Sequence, residues 1–78
     1  MTRYVATFHT HFAALSSYRR LTGEGVASKL APVPRALSSS CGTCVFYSSD
    51  SPRAELMHHD LEQIVVERPD GSYEAAAC

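Results

Sequence analysis

The sequence predicts an α+β fold in which helices cover one face of an antiparallel sheet. Three observations lead to this prediction: short runs of β-branched and aromatic residues, two longer segments with helix-capping signals, and the order in which these alternate. The order is β-α-β-β-α-β, which is typical of a ferredoxin-like sandwich with two helices. We therefore expect one domain over residues 1–68. A turn and a tail, or a short extra strand, should follow over residues 69–78.

The first predicted elements are a strand and a helix. The segment from Arg3 to Phe8 is β-branched and aromatic, which indicates a strand buried at least in part on both faces. Thr10 then supplies an N-cap for a helix over residues 11–22, and Gly23 supplies a stop. At 100° per residue, one stripe of this helix is apolar and the opposite face is polar. The stripe consists of Ala14, Leu15, Tyr18 and Leu21, whereas Ser16, Ser17, Arg19 and Arg20 are predicted to face outward.

Three more strands complete the predicted sheet. Residues 26–33 form the second strand, and Pro32 ends it or confines it to an edge because proline donates no ladder hydrogen bond. The segment from Cys44 to Tyr47 predicts the third strand, and residues 63–68 predict the fourth.

Helices on one face leave the other face of such a sheet without cover. We therefore expect a homodimer that forms through a sheet face or edge.

A second helix is predicted between the third and fourth strands. Asp50 or Ser51 is its N-cap, and Pro52 lies at or near its first position. Its partial apolar stripe consists of Ala54, Leu56, Met57 and Leu61. His58 and His59 lie near its end, where solvated histidines complement the helix dipole.

Length and charge limit the function. A chain of 78 residues supports one domain with a small core, so chemistry is expected in a surface loop or at a subunit contact. Seven basic and eight acidic side chains give a net charge of −1, which argues against a nucleic-acid partner. No apolar run approaches the ~20 residues of a membrane helix, and no signal peptide is visible. A cytoplasmic location without a membrane partner is therefore expected.

The most informative segment contains two of the three cysteines, Cys41 and Cys44. In a cytoplasmic chain, cysteines are more often nucleophiles, carriers or metal ligands than structural disulfides. A thiolate nucleophile needs exposure and stabilisation of its charge. Around Cys41, small hydroxyl side chains, a glycine and an upstream arginine meet this need. These candidate anion-stabilising residues are Ser38, Ser39, Ser40, Gly42 and Arg35.

The spacing of Cys41 and Cys44 permits three uses. The first is a thioredoxin-like redox pair. The argument for it is weak because a strand follows the motif, where thioredoxin-like proteins have a helix that lowers the thiol pKa. A disulfide between the two cysteines would also need a turn through Gly42. A zinc site would need further ligands from His58, His59 and Cys78, but adjacent histidines rarely both bind one ion, so no metal is expected. The third use is carriage of a persulfide or selenide on one cysteine, with the other resolving it.

At this segment the chain resembles the selenium/sulfur carrier protein-like family of small bacterial domains. The resemblance rests on the strand ending in Thr7-Phe8, the helix carrying Ala14-Leu15, and the block PVPRALSSSCG over residues 32–42. It covers roughly Tyr4 to Val66 and implies that Cys41 is the motif cysteine. It also implies a carrier or accessory protein without a cofactor. The implied partners are a desulfurase-like sulfur or selenium donor enzyme and an acceptor protein.

Two alternatives stay open. One is a thiol–disulfide redox module that uses Cys41 and Cys44, and the other is a non-catalytic interaction domain in which the cysteines are incidental or bind metal. His9 and His11 are candidate bases near Cys41, although a half-buried position at the start of the helix is the expected role. Cys78, at the end of the sequence, is expected to be an incidental thiol.

Overall fold

A computed structural model describes residues 1–37 and 41–76 of the chain. Its elements are β1 (Thr2–Phe8), α1 (His11–Gly23), β2 (Ser28–Pro32), β3 (Thr43–Ser49), a 3₁₀ helix (Ala54–Leu56), β4 (Leu61–Glu67) and β5 (Tyr73–Ala75). The strands form one sheet in the order β2-β3-β1-β4-β5, and every neighbouring pair is antiparallel. The predicted α+β class and antiparallel sheet are confirmed. Within the described ranges, no helix is long and apolar enough to cross a membrane.

The sheet has an apolar cluster on each face, because successive side chains of a strand point to opposite sides. On the helix face, the core joins β1 to α1 and β3; its buried members include Tyr4, Ala6, Phe8, Ala13, Ala14, Leu21, Val45 and Tyr47. On the second face, Val5, Cys44 and Val65 form a smaller cluster. Val33 and Leu37, from the loop after β2, pack against this smaller cluster. The chain therefore covers part of the face that was expected to be bare, and the homodimer stays a prediction.

Helix α1 begins as the sequence predicts but buries a residue that was expected to face outward. The N–H of Ala13 donates to the Thr10 hydroxyl at 3.1 Å, so Thr10 is the N-cap. Ser17 is fully buried, and its prediction as an outward residue is wrong. The physical reason is a tertiary contact, in which the backbone N–H of His58 donates to the Ser17 hydroxyl at 2.9 Å. A buried backbone N–H needs such a partner.

The predicted second helix does not form, so the two-helix layer of the predicted sandwich is wrong. Between β3 and β4 there is only the 3₁₀ helix, and the preceding Arg53 has a left-handed backbone with φ of 56°. Nε of Arg53 donates to the Ser49 hydroxyl at 2.8 Å, which ties this turn to the end of β3. Met57 is extended and buried in the core. Segments shorter than ~12 residues are marginal as helices, and here one turn suffices to place Met57.

A tight turn returns the chain from β4 to β5. Gly71 has a φ of 87°, which glycine adopts without a Cβ penalty, and its N–H donates to the Arg68 carbonyl at 2.9 Å. The Asp70 carboxylate accepts from the N–H of Ser72 at 2.9 Å. Strand β5 therefore forms the short extra strand at one edge of the sheet, while β2 forms the other edge, as Pro32 indicated.

Candidate functional site

Cys41 lies at the end of the loop that joins β2 to β3. The N–H of Val33 donates to the Gly42 carbonyl at 3.1 Å and closes this loop at its base. Gly42 has a φ of 74°, in the left-handed region that favours glycine. Among the described residues, no atom outside its immediate neighbours lies within 4 Å of the place a Cβ would occupy, so the backbone angle is the reason for glycine here. The loop therefore places Cys41 two residues before the start of β3.

The Cys41 thiol is half-buried against the helix-face core. Its Sγ lies 3.3 Å from the Phe8 carbonyl oxygen and 3.4 Å from the Thr43 carbonyl oxygen, and it donates to them. A deprotonated sulfur has no hydrogen to donate to either oxygen. Once Cys41 is deprotonated, its thiolate therefore needs other hydrogen-bond donors or positive charge nearby to stabilise it.

The first turn of α1 contacts Thr43, two residues after this thiol, and so brings His11, a predicted candidate base, to the same end of the sheet. His11 was expected to be half-buried but is exposed, and its Nδ1 lies 3.1 Å from the Thr43 hydroxyl. Thr43 in turn supplies one of the two carbonyls that contact Cys41. The positive end of the α1 dipole is thus close to the loop. No helix follows Cys41 along the chain, but the first turn of a helix from elsewhere in the sequence contacts Thr43, whose carbonyl accepts from Cys41.

Cys44 has a very different environment. It is fully buried on the second face with Val5 and Val65, and its Sγ donates to the Pro32 carbonyl at 3.6 Å. Burial, and to a smaller extent the nearby Cys41, together raise the pKa of the Cys44 thiol from 9.0 to about 11. Cys44 is therefore a protonated, inaccessible thiol at neutral pH.

The two cysteines of the motif face opposite sides of the sheet. Cys41 packs with the helix-face core, whereas Cys44 belongs to the cluster on the second face. Both are thiols and not a disulfide. Cys44 is held in β3 by pairing with both β1 and β2, through Thr7 and Ala31. The Cys-x-x-Cys spacing does not by itself bring the sulfurs together here.

The remaining predicted site residues are distributed as follows. Ser38, Ser39 and Ser40 lie outside the described residues, as does Cys78. Arg35 is exposed, in a turn where the N–H of Leu37 donates to the Pro34 carbonyl at 3.0 Å. It makes no ion pair within residues 1–37 and 41–76. The loop thus carries the exposed Arg35 guanidinium on the side that follows β2 and the Cys41 thiol on the side that leads into β3.

The raised pKa of Cys44 predicts a loss of stability at alkaline pH. The unfolded thiol titrates near 9 and the folded thiol at about 11, so the contribution is complete below pH 9 and disappears as the pH rises to 11. The loss is on the order of 2 kcal/mol in the free energy of unfolding. Urea titrations at about pH 8 and about pH 10.5 measure it, and Cys44→Ala should reduce the pH dependence to the part that comes from Tyr47, whose pKa is also raised by burial. Equal pH dependence in both proteins would contradict the assignment.

In a comparison with known proteins, one protein-family model matches the chain. A family model described as "Putative Se/S carrier protein-like" matches residues 3–65, a range that includes most of β1, all of α1, the cysteine loop and most of β4. No curated protein and no solved structure matches the chain.

Proposed function

This chain belongs to the Se/S carrier protein-like family, and we propose that it carries a sulfur or selenium atom on Cys41 from a donor enzyme to an acceptor protein. One observation supports this assignment above the others. The motif cysteine is half-buried at a loop end and donates to the carbonyl of Thr43, which contacts the first turn of α1, while Cys44 is fully buried on the other face. The family match confirms the suspected resemblance, and the carrier role of Cys41 is our proposal.

In the loading step, the outer sulfur of a persulfide on the donor enzyme is transferred to Cys41, which then carries the persulfide. The Cys41 thiolate attacks the outer sulfur of a persulfide on the donor enzyme, a new sulfur–sulfur bond forms, and the donor's own cysteine leaves as a thiolate. One sulfur–sulfur bond breaks as one forms, so no external oxidant or reductant is needed. A nucleophile on the acceptor then takes the outer sulfur, and Cys41 returns to the thiolate. Selenium follows the same steps when the donor carries it in the outer position.

The surroundings of Cys41 are suited to this step. Loss of the thiol proton removes the two bonds to carbonyl oxygens, so the anion needs support from donors nearby. We assign this support to the first turn of α1, with His11 and Thr43 at its contact with the loop. Gly42, Arg35 and the Ser38, Ser39 and Ser40 hydroxyls complete the proposed set.

Placement of Cys44 argues against the redox alternative. A resolving attack by Cys44 on loaded Cys41 would expel hydrosulfide and form a Cys41–Cys44 disulfide, which an external two-electron reductant must then cleave. Cys44 is fully buried and its pKa is raised to about 11, so this attack requires local opening of β3. We therefore propose that delivery to the acceptor, and not resolution by Cys44, is the main outcome.

Two structural proposals accompany this function. We infer a reduced ferredoxin-like sandwich, in which the strand order β2-β3-β1-β4 is kept and a 3₁₀ helix stands where the second helix was predicted. We also propose that residues 1–68 form the domain, that β5 extends its sheet, and that the carrier meets its donor and acceptor in the cytoplasm.

Intact mass spectrometry tests the proposed function. The tag-free chain is incubated with a cysteine desulfurase and free cysteine, and its mass is measured before and after treatment with dithiothreitol. We expect a gain of about 32 Da that dithiothreitol removes, since a persulfide is reducible. A chain whose mass does not change under these conditions would contradict sulfur carriage.

A further inference from the structure

Three side chains of types that can bind metal ions lie close together in the turn before β4. Donor atoms of His58, His59 and Asp60 all lie within 4.8 Å of one another. Nδ1 of His58 is 4.0 Å from Oδ2 of Asp60, and Nε2 of His59 is 3.8 Å from Oδ1 of the same carboxylate. We propose that this turn is a binding site for a divalent transition-metal cation of the Zn²⁺ type. The site is separate from the thiol chemistry of Cys41 and uses no cysteine.

The backbone of this turn explains how adjacent histidines come to share one site. His58 and His59 were discounted as joint ligands because adjacent histidines rarely both bind one ion. Here the N–H of Leu61 donates to the His58 carbonyl at 3.1 Å, so residues 58–61 form a turn. The two imidazoles stack with centroids 4.1 Å apart and 29° between their planes. Both rings therefore lie on one side, with the Asp60 carboxylate beside them. Because imidazole lone pairs lie in the ring plane, binding of one ion by both rings requires the exposed His59 ring to rotate out of this stack.

The turn is anchored to two other elements. The N–H of His58 donates to the buried Ser17 hydroxyl of α1 at 2.9 Å, and the ring of Phe12 meets the His58 ring edge-on at 5.7 Å. The N–H of His9, just after β1, donates to the Asp60 carbonyl at 2.9 Å. The His58 side chain is only 12% exposed, so its position is well defined before any ion binds. Such preorganisation lowers the conformational entropy lost on binding.

The donor set indicates the class of cation. Imidazole nitrogens suit zinc, copper and nickel, whereas calcium and magnesium prefer oxygen ligands only. Three protein ligands leave at least one position of a tetrahedral ion for water or another molecule. The N–H of Asp60 donates to Nδ1 of His58 at 3.1 Å. An ion bound through Nδ1 replaces this hydrogen bond, and an ion bound through Nε2 retains it.

Calorimetric titration with ZnCl₂ tests the proposal. The tag-free chain carries Cys41→Ser and Cys78→Ser, which remove thiols that bind zinc without the turn, and this background keeps the metal test independent of sulfur carriage. We expect one saturable site. His59→Ala, at a ring whose side chain is 85% exposed, and Asp60→Asn should each weaken Zn²⁺ affinity at least about tenfold. The matched control His11→Ala removes another exposed imidazole and should leave the affinity unchanged.

Nuclear magnetic resonance of the imidazole protons supplies the second readout. Zn²⁺ should shift the ring resonances of His58 and His59 and leave those of His11 in place. The proposal is overturned if the background chain shows no saturable binding. It is also overturned if His59→Ala and Asp60→Asn bind Zn²⁺ as tightly as the background, or if His11→Ala weakens binding as much as they do.

Discussion

Replacing Cys41 by serine is expected to abolish sulfur loading. Serine keeps the size of the side chain and its capacity to donate to the Phe8 and Thr43 carbonyl oxygens, so the loop should retain its conformation. It cannot form a persulfide. In the desulfurase assay, the mass gain of about 32 Da should therefore fall below detection in the Cys41→Ser protein.

Two matched variants separate this effect from a general loss of thiols. Cys78→Ser should load as the unchanged chain does. Cys44→Ala should also load, because Cys44 is fully buried on the opposite face and has no role in the proposed loading step. Far-ultraviolet circular dichroism verifies that each variant is folded. Full loading of the Cys41→Ser protein, or failure of Cys44→Ala to load while folded, would contradict the proposed roles.

Replacing Phe8 by alanine is expected to cause the largest loss of stability. Phe8 is fully buried at the end of β1, in the core between the sheet and α1. A buried Phe→Ala change costs about 3–5 kcal/mol through lost transfer energy and the cavity left behind. Domains of this size have a free energy of unfolding of only roughly 4–12 kcal/mol. Urea denaturation should therefore show a midpoint shifted strongly downward.

Phe12 provides the matched control for this change. It lies four residues later, at the start of α1, and is 69% exposed. Phe12→Ala should cost at most about 1 kcal/mol, the size of its edge-on contact with the His58 ring. If Phe8→Ala does not fold, Phe8→Leu keeps most of the buried volume and should still lose about 1 kcal/mol. Equal destabilisation by Phe8→Ala and Phe12→Ala would show that the core is misassigned.

Much of the fold follows from local patterns in the sequence. Strand β1 and helix α1 agree with their predicted positions within one residue, because the apolar pattern and the Thr10 cap act over a few residues. Pro32 likewise indicated an edge strand. The second helix failed because an apolar stripe near Met57 is equally compatible with one 3₁₀ turn. The burial of Ser17 depends on the backbone of His58, a partner far away in sequence.

The candidate site was predictable only in part. Cys41 could be selected from its loop chemistry, since small hydroxyl residues and Gly42 surround it in sequence. The exposure of His11 and its contact with Thr43 join residues 32 positions apart, and no local pattern encodes that contact. The side of the sheet that Cys44 faces follows from strand alternation once β3 is known to begin at Thr43, whereas Cys41 precedes the strand and is oriented by the left-handed turn at Gly42. The predicted strand began one residue later and left that geometry open.

Mapping the transferred sulfur tests the central claim most directly. After loading, thiols and persulfides are alkylated, and the chain is cleaved after Arg35 and Arg53 to release residues 36–53, which contain both Cys41 and Cys44. Fragment ions that break the peptide between the two cysteines assign the additional sulfur. The proposed function predicts that it lies on Cys41. Additional sulfur on Cys44 or on Cys78, with none on Cys41, would contradict it.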